Sequence, residues 1–144
     1  MKVSEIMNPN IVAVSPEDKV DLAARLMKTH NIGSVPVVSE EGRLRGILTD
    51  RDIVTRCVAS DTEPQEMAVK EAMSRGVISV SPGDDVKMAS DIMAGDQIRR
   101  LPVLDEGRLV GMLSLADLAR RNSCNMEAAS ALADISADRR KRKG

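Results

Sequence analysis

The chain has 144 residues, 42% apolar and 30% charged, with a formal net charge of −1. That suffices for one domain or a close pair of halves and supplies no global field to draw it to nucleic acid or a membrane. Phe, Tyr and Trp are absent, which disfavours an RNA reader built on aromatic stacking and leaves a core of Val, Ile, Leu, Ala and adaptable Met. A single histidine, His30, and two distant cysteines, Cys57 and Cys124, make a poor metal site and leave little for histidine acid–base chemistry. The cysteines are expected to be reduced, partly buried thiols. No apolar run reaches the ~18–20 residues of a membrane span, and Met1-Lys2-Val3-Ser4-Glu5 leads into no signal-peptide core. A cytoplasmic location is therefore expected.

In chain order, Ser4 is predicted to cap a short turn from Glu5 to Met7, which Asn8-Pro9-Asn10 ends. Ile11 to Val14 is predicted as a short strand. Ser15-Pro16 is expected to open a helix, with Glu17 and Asp18 at its positive end and Val20, Ala23, Ala24 and Met27 on its buried face. The helix should stop near His30-Asn31. Val35 to Val38 reads as a buried strand in which Pro36 forbids one ladder hydrogen bond. A turn at Glu41-Gly42 leads to a return strand, Leu44 to Leu48. Thr49 is expected to cap a helix from about Asp50 to Ala59, with Ile53, Val54, Cys57 and Val58 apolar. Ser60 to Glu66, containing Pro64, reads as a polar linker.

The plan then repeats. Val3-Ser4-Glu5-Ile6-Met7 aligns with Val69-Lys70-Glu71-Ala72-Met73 at an offset of 66, which also carries Val14-Ser15-Pro16 onto Val80-Ser81-Pro82 and Pro36-Val37 onto Pro102-Val103. One residue is lost where Ser39-Glu40-Glu41-Gly42 becomes Asp105-Glu106-Gly107. After that, Gly46-Ile47-Leu48-Thr49-Asp50-Arg51-Asp52 aligns with Gly111-Met112-Leu113-Ser114-Leu115-Ala116-Asp117 at an offset of 65. The second copy is predicted as a turn at 69–73, strands at 77–80, 101–104 and 108–113, and helices at 83–94 and from Leu115. Each half is β-α-β-β-α with a mixed sheet, an α/β (α+β) fold. The expected segments are repeats at 1–60 and 69–121, a linker at 61–68 and a C-terminal part at 122–144. In that last part Asn125 would cap a helix with Met126, Ala129, Leu132 and Ile135 on one stripe, followed by the basic run Arg139-Arg140-Lys141-Arg142-Lys143.

The duplicated plan, the Val-Pro-Val and Leu-Pro-Val strands and the two Gly-h-h-(Thr/Ser)-x-x-Asp endings resemble a tandem pair of cystathionine-β-synthase (CBS) domains over about residues 1–121. The form of the first ending, Thr49-Asp50-Arg51-Asp52-Ile53, is similar to that of small stand-alone bacterial or archaeal proteins made only of such a pair. The resemblance implies two repeats packed sheet to sheet about a pseudo-twofold axis, with two cleft sites for AMP, ADP, ATP or S-adenosylmethionine, and a homodimer of such modules.

A ribose presents two adjacent hydroxyls, and one carboxylate accepts from both in charge-assisted bonds. Asp52 and Asp117, in the first turns of their helices, are the candidates, with Thr49 and Ser114 donating nearby. Phosphates would sit at the same helix N-termini, and Arg51 offers them a fork-shaped cation. The competing reading makes each Thr/Ser-x-x-Asp a capping box, and the two roles can alternate. The resemblance implies that each site draws on both repeats. Asp117 would act with Ser114, Met112, Val12, Ile32 and Gly33, and Asp52 with Thr49, Arg51, Ile47 and Ile78. Val12 and Ile78 would clamp the adenine, whose edge would bond backbone groups; otherwise both are plain core. Arg99 and Arg100 stand where the first repeat has Gly33-Ser34. The resemblance assigns them to phosphate, against the alternative of a solvated pair on a loop. Ala116 stands in place of Arg51, so the two sites are expected to differ in affinity or ligand.

The sequence thus reads as a non-enzymatic regulatory module that senses an adenosine-containing small molecule, requires no cofactor and acts on an unidentified regulated protein. The alternatives are a dimeric interaction scaffold whose clefts have lost their ligands, and nucleic-acid binding through the basic tail.

Overall fold

The computed structural model describes residues 1–120 and 131–135. These fall into two compact units. One holds Met1–Ile11, Ile78–Glu106 and the described residues from Val110 on; the other holds Val12–Val77 and Gly107–Leu109. Each unit therefore takes its opening turn from the other repeat. The backbone bonds that seat the two turns match at the repeat offset. The Val3 N–H donates to the Asp84 carbonyl at 2.9 Å, and the Val69 N–H to the Asp18 carbonyl at 2.7 Å. Both valines are fully buried.

In the second unit, α1 (Val20–His30) leads to β1 (Ser34–Val38), which pairs antiparallel with β2 (Leu44–Thr49). A helical segment follows: α2 (Asp50–Asp52), a π-helical stretch Ile53–Cys57 and a 3-10 turn Val58–Ser60. The short α3 (Val69–Ala72) closes the unit. The first unit repeats the plan with the 3-10 turn Val3–Glu5, α4 (Val86–Asp96), the paired strands β3 (Arg100–Asp105) and β4 (Arg108–Ser114), and α5 (Leu115–Arg120). The residue lost between the copies is absorbed in the hairpin turns. Gly42, at φ 82°, closes the longer turn, whereas Glu106 and Gly107, at φ 52° and 81°, form a two-residue turn of the type that matches strand twist.

The opening strands expected at 11–14 and 77–80 are reduced to one parallel bridge each, Val14 to Val37 and Val80 to Val103. The Val14 N–H donates to the Pro36 carbonyl at 3.1 Å and the Val38 N–H to the Val14 carbonyl at 2.8 Å. The next rung would need an amide at position 36 for the Val12 carbonyl, and proline has none. Pro102 stops the second copy in the same way, one rung before Ile78.

The helix predicted from Pro16 starts only at Val20, and the one predicted from residue 83 at Val86. The reason is a carboxylate-closed turn. The Ser15 N–H donates to Asp18 Oδ2 at 2.8 Å, and the Ser81 N–H to Asp84 Oδ2 at 2.7 Å. Both helices end on a left-handed residue, Asn31 or Gln97. Lys2, rather than Ser4, occupies the N-cap position of the first turn, and its N–H donates to the Glu5 carboxylate. Ala24 is only half-buried, and Val54 and Val58 are 58% and 57% exposed, so the apolar face of the helical segment after Thr49 is narrower than its composition suggests. At 131–135, Ala131 and Ile135 are buried while Leu132 is 43% exposed, which corrects the expected stripe. Cys124, Asn125, Met126, Ala129 and Arg139–Lys143 lie outside the described residues.

Gly46 and Gly111 permit close approaches between a hairpin strand and a docked segment. A Cβ on Gly46 would stand 2.7 Å from the Ser74 carbonyl oxygen and 2.8 Å from Met73 Sδ; on Gly111 it would stand 2.6 Å from Met7 Sδ. Here the opening segments join the hairpins. The Ser74 N–H donates to the Ile47 carbonyl at 2.8 Å and the Asn8 N–H to the Met112 carbonyl at 2.8 Å, with the reciprocal bonds at 3.0 and 2.9 Å. Each two-stranded ribbon thereby gains a partner along its outer edge. Cys57, expected to be partly buried, is fully buried. Its Sγ–H points at the Thr62 carbonyl, 3.3 Å away. Burial, and then the charge of Glu63, push the thiol above its ordinary pKa.

Gly46→Ala is expected to lower stability by about 1–3 kcal/mol, because backbone must move. Gly95→Ala, where nothing lies within 4 Å, should be neutral or stabilising by about 0.5–1 kcal/mol within its helix. Urea unfolding followed by far-UV circular dichroism measures both, and equal midpoints would refute the close-approach argument. In a Cys124→Ser background, native Cys57 should resist a thiol reagent at pH 8 until the fold opens. Its raised folded pKa makes its contribution to stability complete below the unfolded value of roughly 8.5 and lost as pH rises through the folded value.

Candidate functional site

β2 and β4 each deliver a hydroxyl residue and then a helix, and both hydroxyls cap as the spacing predicts. Thr49 Oγ1 accepts from the Asp52 N–H at 3.0 Å, and the Thr49 N–H donates to Asp52 Oδ2 at 3.0 Å. Ser114 Oγ accepts from the Asp117 N–H at 3.1 Å, and the Ser114 N–H donates to Asp117 Oδ2 at 2.9 Å. The capping box is therefore formed twice. In each case the reciprocal bond uses only one carboxylate oxygen, and Oδ1 is directed elsewhere.

Those second partners differ. Arg120 Nη1 lies 3.3 Å from Asp117 Oδ1, on a side chain that is 76% exposed. Asp52, one of two buried polar or charged residues among those described, instead faces Ser74, whose Oγ is 3.3 Å from Oδ1 and 3.4 Å from Oδ2. Arg56 Nη1 lies 3.8 Å from Asp52 Oδ1 and donates to the Ala72 and Met73 carbonyls, both at 2.9 Å. Neither Ser74 nor Arg56 is legible in the sequence as part of a site, because the link between Asp52 and Ser74 spans 22 residues and no local pattern marks it.

The remaining candidates divide between the units. Asp52, Thr49, Arg51, Ile47, Ile32, Gly33 and Val12 belong to one; Asp117, Ser114, Met112, Arg99, Arg100 and Ile78 belong to the other. Arg51, Arg99 and Arg100 are exposed. The Asp50 N–H donates to the Gly33 carbonyl at 2.9 Å and the Leu115 N–H to the Arg99 carbonyl at 2.8 Å, so both positions brace a helix start. A Cβ on Gly33 would lie 3.2 Å from Asp50 Oδ2. Val12 and Ile32 are half-buried against the core of their unit, and Ile78 is 41% exposed. Among the described residues, the backbone groups of Val12 and Ile78 have no hydrogen-bond partner.

A surface groove of about 470 Å³ lies elsewhere, lined by residues that include Glu17, Glu41, Arg45, Lys70 and Arg75, and by none of the candidates. Lys70 and Glu17 pair across it at 3.1 Å. The Glu41 carboxyl is held below its ordinary pKa by its backbone amide and then by the Ser39 hydroxyl, with Arg45 and Arg43 adding to this. Among the described residues no cluster of His, Cys, Asp and Glu can hold a metal ion, and no helix is long and apolar enough to cross a membrane.

The CBS domain family model matches residues 3–59 and 69–123. The CBS domain-containing protein YhcV of Bacillus subtilis is 45% identical over 134 residues, covering 93% of this chain and 94% of its own. The crystal structure of CBSX2 in complex with AMP superposes with a TM-score of 0.73 at 25% identity, over 83% of this chain and 93% of that one. That of the CBS domain pair of protein MJ0100, in complex with 5′-methylthioadenosine and S-adenosyl-L-methionine, does so with a TM-score of 0.72 at 28% identity, over 83% and 94%.

With no ligand added, Thr49→Ala and Ser114→Ala should each cost about 1 kcal/mol of stability through the lost cap, and Thr49→Ser should be nearly neutral. Thermal unfolding of the three variants checks this, and unchanged midpoints in both alanine variants would contradict it.

Proposed function

The chain belongs to the CBS-domain family as a tandem pair, and on that premise we propose that it is a regulatory, non-catalytic module that binds an adenosine-containing small molecule through Asp52 and Asp117. The observation that carries this reading is the matched pair of helix-start carboxylates, each with one oxygen on its own N-cap amide and the other aimed away from it. A vicinal diol suits such a carboxylate, since each hydroxyl donates one charge-assisted bond. Solved relatives whose structures contain AMP, or 5′-methylthioadenosine with S-adenosyl-L-methionine, support the ligand class.

In this reading Thr49 and Ser114 hold the carboxylates in place. Val12 and Ile78 offer aliphatic side chains and unpartnered backbone groups for the adenine; Ile47, Met112, Ile32 and Gly33 complete the apolar lining. Arg51, Arg99 and Arg100 take the phosphates. Their unequal placement in the two repeats makes the affinity for charged ligands unequal. Binding shifts the population of states that a partner protein reads. The exposed Val54 and Val58 on one helical face support the second reading, an interaction scaffold that associates with a further copy or another protein without a ligand.

Titration calorimetry with AMP, ATP and S-adenosylmethionine tests the proposal. Asp52→Asn and Asp117→Asn are the informative variants, because asparagine keeps an acceptor for the N-cap amide while removing the charge. The expected result is binding by the wild type, weakened about 10- to 100-fold at the altered site, the range given by losing a charge-assisted bond. Thermal stability should rise with ligand concentration by mass action. Unchanged affinity in both variants would remove the assigned roles, and no stabilisation at millimolar nucleotide would favour the scaffold.

A further inference from the structure

We propose that Ser74 is a built-in latch on Asp52, so that the two carboxylates are unequal and the Asp117 site fills first. This rests on the nucleotide-binding reading above and assigns a specificity-determining residue to it. A vicinal diol directs its two O–H donors at the carboxylate oxygens. At Asp52 a single hydroxyl already spans them, with Ser74 Oγ at 3.3 Å and 3.4 Å. Ser74 is itself held in place. Its backbone pairs with Ile47 through two hydrogen bonds, and Arg56 Nη1 reaches its Oγ at 3.3 Å while binding the carbonyls of Ala72 and Met73. The hydroxyl therefore stands in for the ligand's donor on a segment that does not drift away, and a diol must displace it.

Among the described residues, nothing comparable holds Asp117. The residue at the repeat offset from Ser74 is Asn8, whose Oδ1 accepts from the Asn10 N–H at 3.0 Å instead. Among the described residues, the side-chain partner of Asp117 is Arg120, whose exposed guanidinium makes a weak, solvent-screened pair that a ligand displaces readily. The difference lies in the identity of one residue on each docked segment, serine against asparagine, and does not depend on the Arg51/Ala116 asymmetry. Capture of a ligand at Asp52 also frees the Ser74 hydroxyl, which gives that site a route to the segment Val69–Ser74 that the Asp117 site lacks.

The test reads the Asp52 site alone. AMP, 5′-methylthioadenosine and S-adenosylmethionine are titrated by calorimetry into Asp117→Asn, and into Asp117→Asn carrying Ser74→Ala or Ser74→Thr. Ser74→Ala should tighten binding roughly three- to tenfold, the size of one net hydrogen bond, and Ser74→Thr, which keeps the hydroxyl, should restore the weaker affinity. Equal or weaker binding after Ser74→Ala, with Asp117→Asn still competent, overturns the latch and leaves nucleotide binding intact. Binding by the wild type that vanishes in both Asp117→Asn and its Ser74→Ala derivative also overturns it, since Asp52 is then no site. If the wild type binds none of the three probes but Ser74→Ala alone binds one, the latch is supported in its strongest form. If neither binds, the functional reading falls and the latch falls with it.

Discussion

Two missing side chains hold this fold together. At Gly46 and Gly111 the backbone of a hairpin strand comes so close to a docked segment that a Cβ would meet methionine sulfur inside 3 Å. That closeness lets Ser74 pair with Ile47 and Asn8 with Met112, and it seats Val3 and Val69 in the cores of their units. A half of about 60 residues is marginal by itself. Completing each core with a turn from the other repeat supplies apolar burial that neither repeat's own residues provide, and makes the units interdependent in sequence.

Proline does the opposite work on the far side of each ribbon. By lacking an N–H, Pro36 and Pro102 limit the parallel ladder to single bridges at Val14 and Val80, and among the described residues the backbone of Val12 and Ile78 has no partner. Unsatisfied backbone groups flanked by aliphatic side chains can accept a flat, hydrogen-bonding ligand edge. A strand that simply ran on would have used them up.

The two carboxylates are placed by the same structural device. The reciprocal cap fixes each acid through Oδ2 and so presents Oδ1 in a set direction, without a further residue to orient it. What then meets Oδ1 is decided by the packed surroundings: a braced hydroxyl and Arg56 at Asp52, a solvated arginine at Asp117. Matching capping boxes thus meet different surroundings.

Much of this was written in the chain itself. The duplication, the hairpins and the caps at Thr49 and Ser114 all follow from local signals, namely glycine and proline positions, hydroxyls at helix starts and alternating apolar residues, which act within a few residues of each other, whereas the mixed sheet expected from them is two antiparallel pairs with one parallel bridge each. The late starts of α1 and α4 are not legible in the sequence because Asp18 and Asp84 close turns by hydrogen bonds whose residue pattern resembles that of a helix start. The exposure of Val54 and Val58 has a related reason, since composition shows an apolar stripe without showing whether anything covers it. The exchange of opening turns and the meeting of Ser74 with Asp52 depend on segments far apart in sequence being pressed together, so only the folded chain could decide them.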